Sequence, residues 1–302
     1  MIKVSICIPT YENVEEVTRL IQSIEIQTFQ DLEVIITDDS RDSKIEEFIQ
    51  KLAEENKIFA EKIRYFHNKT PLGHIFNWNE ALSHAKGEYI KIMFSDDWFT
   101  YEDSLEKLVG LLEGNRAADM AFCGNLQVSE KEAYARKPEE GYIERLRKGY
   151  QYLFISNQIG APSNTLYRNK EGIAFDEKSN WASDVFLYIE ILKRNQVFEY
   201  VEEPLISIGI HENQYTESFS DGDERIVLDY AYMFQKYKLL EDQECRKYFL
   251  EQYLVKYEKG LLEALKNGYS KSEFHAAKIQ YLKKEVIPSY GYAIKRRLKG
   301  KK

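Results

Sequence analysis

Across the first 128 residues, short β-rich runs alternate with amphipathic helical patterns, and this alternation constrains the fold more than any other feature of the chain. "KVSICIP" (3–9), "LEVIITDD" (32–39), "KIRYFHN" (62–68), "EYIKIMFS" (88–95) and "DMAFCGNLQV" (119–128) read as strands. Helices are predicted between them over 14–27, 43–56, 75–85 and 104–113. In the first of these, Val17, Leu20, Ile21 and Ile24 share one face. Strands at this spacing, with helices between them, predict a largely parallel, doubly wound sheet. Such sheets gather functional residues at the carboxyl ends of their strands.

The remainder of the chain reads differently. Residues 129–150, "SEKEAYARKPEEGYIERLRKGY", are charged and lack a core period, which predicts a surface loop or an excursion over a cleft. Apolar runs return over 151–211, with a helix near 182–194. From about 220 onward, three or more amphipathic helices follow without intervening strands. The predicted division is therefore a main domain over 1–219 and a helical region over 220–302. No internal repeat or low-complexity tract is present.

Composition narrows the function classes. Apolar content of 43% supports a sizeable core, and a net charge of −8 argues against a general nucleic-acid binder. The end of the chain, "IKRRLKGKK", is strongly basic. It reads either as a frayed soluble tail or as a peripheral contact with an anionic membrane, at about 1 kcal/mol per basic residue. Cys7, Cys123 and Cys245 form no CxxC pair, so reduced core residues and a cytoplasmic location are expected. The apolar run in "MIKVSICIPTY" is too short for a signal peptide, and no stretch approaches the ~18 apolar residues of a membrane span.

Polar groups follow each of the first four strands: "IPTYEN", "TDDS", "NKTPLG" and "SDDW". Each alone is an ordinary turn former. In succession along one sheet edge they make a rim rich in acceptors. Asp96 and Asp97 are adjacent like charges, which sit best where water or a cation screens them. A divalent cation and a solvated turn both satisfy that requirement.

The segments "VSICIPTYEN", "LEVIITDDS" and "NWNEAL..AKGEYIKIMFSDD" resemble the family 2 glycosyltransferases, which have the nucleotide-binding GT-A fold. The resemblance covers the first 100 residues well and continues more diffusely to about 215. It implies a nucleotide-binding half over 1–100, an acceptor-side half over 129–215, and a mostly parallel mixed sheet flanked by helices. It implies transfer of a sugar from a nucleotide-sugar donor, usually a UDP-sugar, to a hydroxyl acceptor in polysaccharide or glycoconjugate assembly. The implied acceptor is a saccharide or a lipid-linked saccharide, and the lipid-linked form would suit the basic tail.

Residue by residue, the resemblance makes Pro9, Tyr11 and Glu12 border the base and ribose, with the Tyr11 ring stacking on uracil. It gives Asp39 the base N–H and leaves Asp38 as a turn former. The family's DXD element falls on 95–97, with Ser95 in place of its first Asp. Asp96 is then expected near the ribose, and Asp97 is expected to ligate Mg²⁺ or Mn²⁺ beneath the diphosphate. His211 is expected at the metal or diphosphate. Asn79 matches an Asn of the family's "RN" pair, although Trp78 replaces the Arg. Gly73 reads as a close approach to ligand or as a turn.

The general base of the family's "ED" pair falls on Asp184, with Ser183 replacing the Glu. Considered by itself, Asp184 is also a favourable charge in a first helical turn, stabilising by ~0.3–1 kcal/mol. A base opposite the leaving group implies inversion at the anomeric carbon. Ser163 and Asn164, in "GAPSNTLYR", are candidates for acceptor contacts.

Two rival readings carry their own signatures. A nucleotidyltransferase that builds nucleotide-sugars normally opens with a Gly-rich loop after strand one, and "PTYENVEEV" has no glycine. A degenerate binding or scaffolding protein is kept open by Ser95 and Ser183, and absence of nucleotide binding would identify it. A Walker loop, a Rossmann fingerprint, an HExxH site and a Ser-centred hydrolase elbow are all absent from the sequence.

Overall fold

All five apolar runs of the first 128 residues form strands, and the helices fall where the periodicity places them. This computed structural model describes residues 2–212, 214–220 and 223–283. It opens with β1 (Val4–Thr10), α1 (Val14–Glu25), β2 (Leu32–Asp38), α2 (Lys44–Glu55), α3 (Lys57–Ala60), β3 (Ile63–His67), α4 (His74–Ser83) and β4 (Tyr89–Ile92). There follow β5 (Asp97–Phe99), α5 (Ser104–Gly114), β6 (Met120–Val128), β7 (Ala133–Arg136), α6 (Tyr142–Lys148), α7 (Tyr152–Ile155), β8 (Thr165–Arg168), α8 (Ser183–Asn195) and β9 (Phe198–Gly209).

Sheet order among these strands is β3-β2-β1-β4-β8-β6-β9-β5, with β7 paired to β6. β1, β2, β3 and β4 run parallel. β8 is antiparallel to both β4 and β6, so β6 again points the way β4 does. β9 is parallel to β6 and β5 antiparallel to β9. The carboxyl ends of β1, β2, β3, β4, β6 and β9, and the first residue of β5, therefore share one edge. α1 starts at Asn13, whose side chain accepts from the Glu16 N–H, and it buries Val17, Leu20, Ile21 and Ile24 on the sheet. Those residues join Val4, Ile6, Ile8, Val34, Ile36, Leu105, Leu108 and Leu112 in the main core.

Two elements differ from the sequence reading. The fourth apolar run stops as a strand at Ile92, because the Phe94 N–H leaves the ladder to bond the Ser163 hydroxyl. The chain then turns at Ser95–Asp96 and re-enters the sheet as β5, with Asp97 opposite Ile208. Residues 129–150 are also more ordered than their charge suggests. β7 is exposed throughout, which hides its strand character, while α6 anchors itself by burying Tyr142 and Leu146.

The chain divides into two compact units, Met1–Ser218 and Phe219–Lys302. Among its described residues the second is helical, with α9 (Glu224–Lys236), α10 (Gln243–Phe249), a π-helical turn over Leu250–Val255, α11 (Gly260–Lys266) and α12 (Lys271–Tyr281). Aromatic pairs such as Phe234–Phe249 and Tyr230–Tyr253 fill its interior. The helical pattern over 245–267 is broken where Glu258 and Gly260 take positive φ, 51° and 83°. No helix among the described residues is long and apolar enough to cross a membrane. The basic tail at 294–302 lies outside the described residues. Cys7, Cys123 and Cys245 are buried thiols outside any disulfide.

Candidate active site

At the end of β2, the two aspartates of "TDDS" are both buried and do different work. Asp38 accepts from the Ser40 N–H (2.8 Å), the Thr10 hydroxyl (3.3 Å) and the Tyr65 hydroxyl (2.7 Å), closing the ends of β1, β2 and β3 together. Asp39 accepts from Asn68 Nδ2 (2.7 Å), Leu72 N (3.1 Å) and Gly73 N (2.8 Å), which fixes the loop 68–73. That use of three acceptor directions leaves one on Oδ2, the side that carries a single bond. Gly73 has φ +88° with open space around it, a turn conformation that favours glycine.

Tyr11 is 51% exposed at the mouth of β1, and its hydroxyl bonds the Glu12 carboxylate. Glu12 itself is held at φ 61°, with its N–H donating to the Ser40 hydroxyl at 2.7 Å. Pro9 needs correction: it is buried inside β1, opposite Thr37, so its ring does not border an open cleft. Asn79 also has a structural partner, exchanging two hydrogen bonds with the Phe175 backbone (3.0 and 2.9 Å). Trp78 packs its indole between Phe94 and Phe175.

The paired carboxylates at 96 and 97 separate sharply. Asp97 is 1% exposed and bonds the Ser163 hydroxyl and the Gly209 N–H, and burial pushes its carboxyl well above the usual range. Beside it Lys91 is wholly buried and donates to the Ser163 carbonyl, and burial brings its ammonium down to about 8. The expectation that Asp97 ligates the metal meets a different arrangement: Asp97 opens the edge strand β5, and its carboxylate is buried against the Ser163 hydroxyl and the Gly209 N–H.

Asp96, one residue earlier in the turn, faces the edge. Its Oδ2 lies 3.4 Å from His211 Nε2 and accepts from Gln214 Nε2 at 3.3 Å. Asp96, expected near the ribose, thus lies beside His211. Glu16 Oε1 lies 3.4 Å from the same imidazole nitrogen, and Glu16 also bonds the Ser95 side chain. Burial, then the charge of Asp96, push the Glu16 carboxyl up. Among the described residues His211 Nε2 is buried and makes no hydrogen bond, although two carboxylates lie 3.4 Å away. Arg19 completes the cluster by bonding the Asp96 carbonyl (2.8 Å) and stacking on Trp98 (3.9 Å).

Asp184 sits in the first turn of α8 as expected, half-buried, with Val185, Ile189 and Leu192 packed inward. Asn157 Nδ2 donates to its Oδ2 at 2.6 Å. Asn157 Oδ1 in turn accepts from Ile159 N, and Asn164 Nδ2 donates to Ile159 O. One segment, 157–163, therefore holds Asp184 at one end and Asp97 at the other. Six residue steps span at most about 20 Å. Ser163 and Asn164, the candidates for acceptor contacts, are both 0% exposed, and their bonds anchor this segment.

Glu16, Arg19 and Asn157 were missed in the sequence. Glu16 and Arg19 lie one turn apart on α1 and read as ordinary helix charges, and only the return of β9 brings His211 to them. Among the described residues, no group of three or more His, Cys, Asp or Glu side chains is arranged to hold a metal ion by itself.

Residues 5–171, more than half of the chain, match the family model for glycosyl transferase family 2. The chain belongs to that family. Among curated family relatives, an uncharacterised glycosyltransferase of Methanocaldococcus jannaschii is 27% identical over 213 residues, covering 68% of this chain and 70% of its own. The chain spans only 31% of the length of glycosyltransferases from Rickettsia felis and Rickettsia conorii. Among solved structures, Staphylococcus aureus TarS 1–349 in complex with UDP-GlcNAc superimposes with a TM-score of 0.63 at 17% identity, over 93% of this chain and 79% of TarS. The mannosyltransferase PcManGT of Pyrobaculum calidifontis, in complex with GDP-Man and Mn²⁺, gives a TM-score of 0.58 at 15% identity, over 95% and 82%. The fold of this family 2 enzyme is thus the GT-A fold.

Proposed function

We propose that this glycosyltransferase moves a sugar from a nucleotide-sugar, a UDP-sugar in the first instance, to a hydroxyl of a saccharide or lipid-linked saccharide, with inversion, in polysaccharide or glycoconjugate assembly. The observation that carries the reading is the orphaned, buried Nε2 of His211 beside the Asp96 carboxylate on the carboxyl edge of the sheet. An imidazole nitrogen without a hydrogen bond, next to a carboxylate, fits a divalent cation. Two protein ligands with the remainder supplied by phosphates and water is a common arrangement for magnesium. Asp96 and His211 would hold Mg²⁺ or Mn²⁺, and when bound the ion would neutralise charge gathering on the departing diphosphate.

The chain's own residues divide the rest of the work. Tyr11 and Glu12 offer an aromatic face and a carboxylate to the base and ribose, and Asp39 keeps one acceptor direction for a base N–H. Asp184 takes the proton of the acceptor hydroxyl as that oxygen bonds the anomeric carbon and the bond to the diphosphate breaks. Asn157 fixes the orientation of that carboxylate.

Thermal unfolding with UDP, GDP and their sugar conjugates, with and without Mn²⁺, tests the proposal. Metal-dependent stabilisation by a uridine nucleotide, abolished by Asp96→Ala, is expected. Stabilisation by GDP alone would transfer the reading to a guanosine donor, and no effect of any nucleotide would refute it.

A further inference from the structure

β6 ends on the active edge, and its terminal side chains have no role in the reading above. Its first half is conventional core: Met120, Ala121, Phe122 and Cys123 are buried and apolar. Its register against β9 then shifts on both sides of Gly124, and a Cβ at that position would lie 2.3 Å from the Glu202 carbonyl. Bulges of this kind re-aim side chains and are common beside active sites. After the shift the buried residues become amides, Asn125 at 6% exposure and Gln127 at 8%.

The two amides lock each other. Gln127 Nε2 donates to Asn125 Oδ1 at 2.5 Å, and among the described residues Asn125 Nδ2 and Gln127 Oε1 have no hydrogen bond. One donor group and one acceptor are thereby left over, held in a fixed relation. Across the sheet, Gln127 is in register with Ile208 and Ile208 with Asp97, so Gln127 lies in the same row as Asp97, the residue that follows the Ser95–Asp96 turn. Asn125 lies beside Gly160, where an added Cβ would stand 3.7 Å from Asn125 Nδ2 and 2.6 Å from Asn164 Nδ2. Asn164 Oδ1 is a further buried atom without a partner. Gly160 is three residues from Asn157, which holds Asp184, a span of at most about 11 Å.

We propose that Asn125 and Gln127 form a hydroxyl-reading subsite for a pyranose ring at the reacting end of the site. A primary amide supplies two donors and an acceptor in one plane, which suits the hydroxyls of a sugar. A site built to bond a hydroxyl rejects an analogue lacking it far more strongly than an apolar pocket does. These amides are thus specificity-determining residues, and the inference rests on the glycosyltransferase reading of the site.

Titration calorimetry on the full chain tests it with UDP, UDP-glucose, GDP and GDP-mannose in the presence of Mn²⁺. Methyl glucoside and methyl galactoside are then added to the nucleotide-saturated protein. Wild type is compared with Asn125→Leu and Gln127→Leu, and with the shape-conserving Asn125→Asp and Gln127→Glu. The donor arm expects the extra affinity of a nucleotide-sugar over its bare nucleotide to fall at least fivefold, with the bare nucleotide changed less than twofold. The acceptor arm expects the same loss for a methyl glycoside. A loss in the first places the amides on the transferred sugar, and a loss in the second alone places them on the acceptor. Sugar binding unchanged in both arms, or bare nucleotide lost equally with the sugar in all four variants, would overturn the subsite. A wild type that binds no nucleotide would refute the reading of the site and this inference with it, whereas nucleotide binding with intact sugar discrimination in the variants refutes the subsite alone.

Discussion

Asp96 and Asp97 differ by one position and should differ in kind when removed. Asp97→Ala would leave the Ser163 hydroxyl and the Gly209 N–H without their acceptor inside the sheet. Stranded buried donors cost about 1–3 kcal/mol each, so a loss of about 2–4 kcal/mol in urea unfolding is expected. Asp96→Ala removes a carboxylate at the edge and should change stability by less than about 1 kcal/mol, while lowering Mn²⁺-dependent nucleotide affinity more than tenfold. The sequence made the adjacent carboxylates conspicuous but not their order of burial. That order follows from the β-strand period of two, which sends neighbouring side chains to opposite sides once β5 begins at Asp97. The base expected at Asp184 was legible as a charge in a first turn, whereas its holder, Asn157, had no local signal at all.

The turn at Ser95–Asp96 is set by the elements around it. At Gly209, the end of β9, a Cβ would lie 2.5 Å from the Asp96 carbonyl oxygen, so β9 and the turn touch backbone to backbone. Gly209→Ala should displace the turn and weaken metal-dependent nucleotide binding, measured by calorimetry, while the melting temperature without ligand moves by only a few degrees. In the second unit, α12 begins with a capping box in which Ser270 and Glu273 bond each other reciprocally. Bonds from Ser270, then the Arg246 guanidinium, hold the Glu273 carboxyl down at about 2. A depressed folded-state pKa gives stability that is present above the unfolded value and lost as pH falls through the folded one. Glu273→Gln should therefore melt below wild type at pH 7, with the gap closing from about pH 4.5 toward pH 2 in thermal unfolding followed by circular dichroism. Helices and strands of the first 128 residues were legible because each buries one face with a clean period. β7 was not, since it buries neither.

At the scale of the whole molecule, the site is an outcome of topology. β4 and β9 are neighbours of neither each other nor a common helix in sequence, yet both end on the same edge, and this brings Asp96 to His211 across 115 positions. Family resemblance placed Asp96 near the ribose and His211 near the metal or diphosphate, but no local pattern could reveal that Glu16 and Arg19 of α1 would close around them. The place where a cation binds decides whether Asp96 and His211 are its ligands. Anomalous diffraction from crystals grown with Mn²⁺ and UDP locates that ion directly. The predicted result is a peak about 2.0–2.3 Å from Asp96 Oδ2 and His211 Nε2, beside the diphosphate. A peak on Asp97, or nucleotide bound with no metal near Asp96, would contradict it.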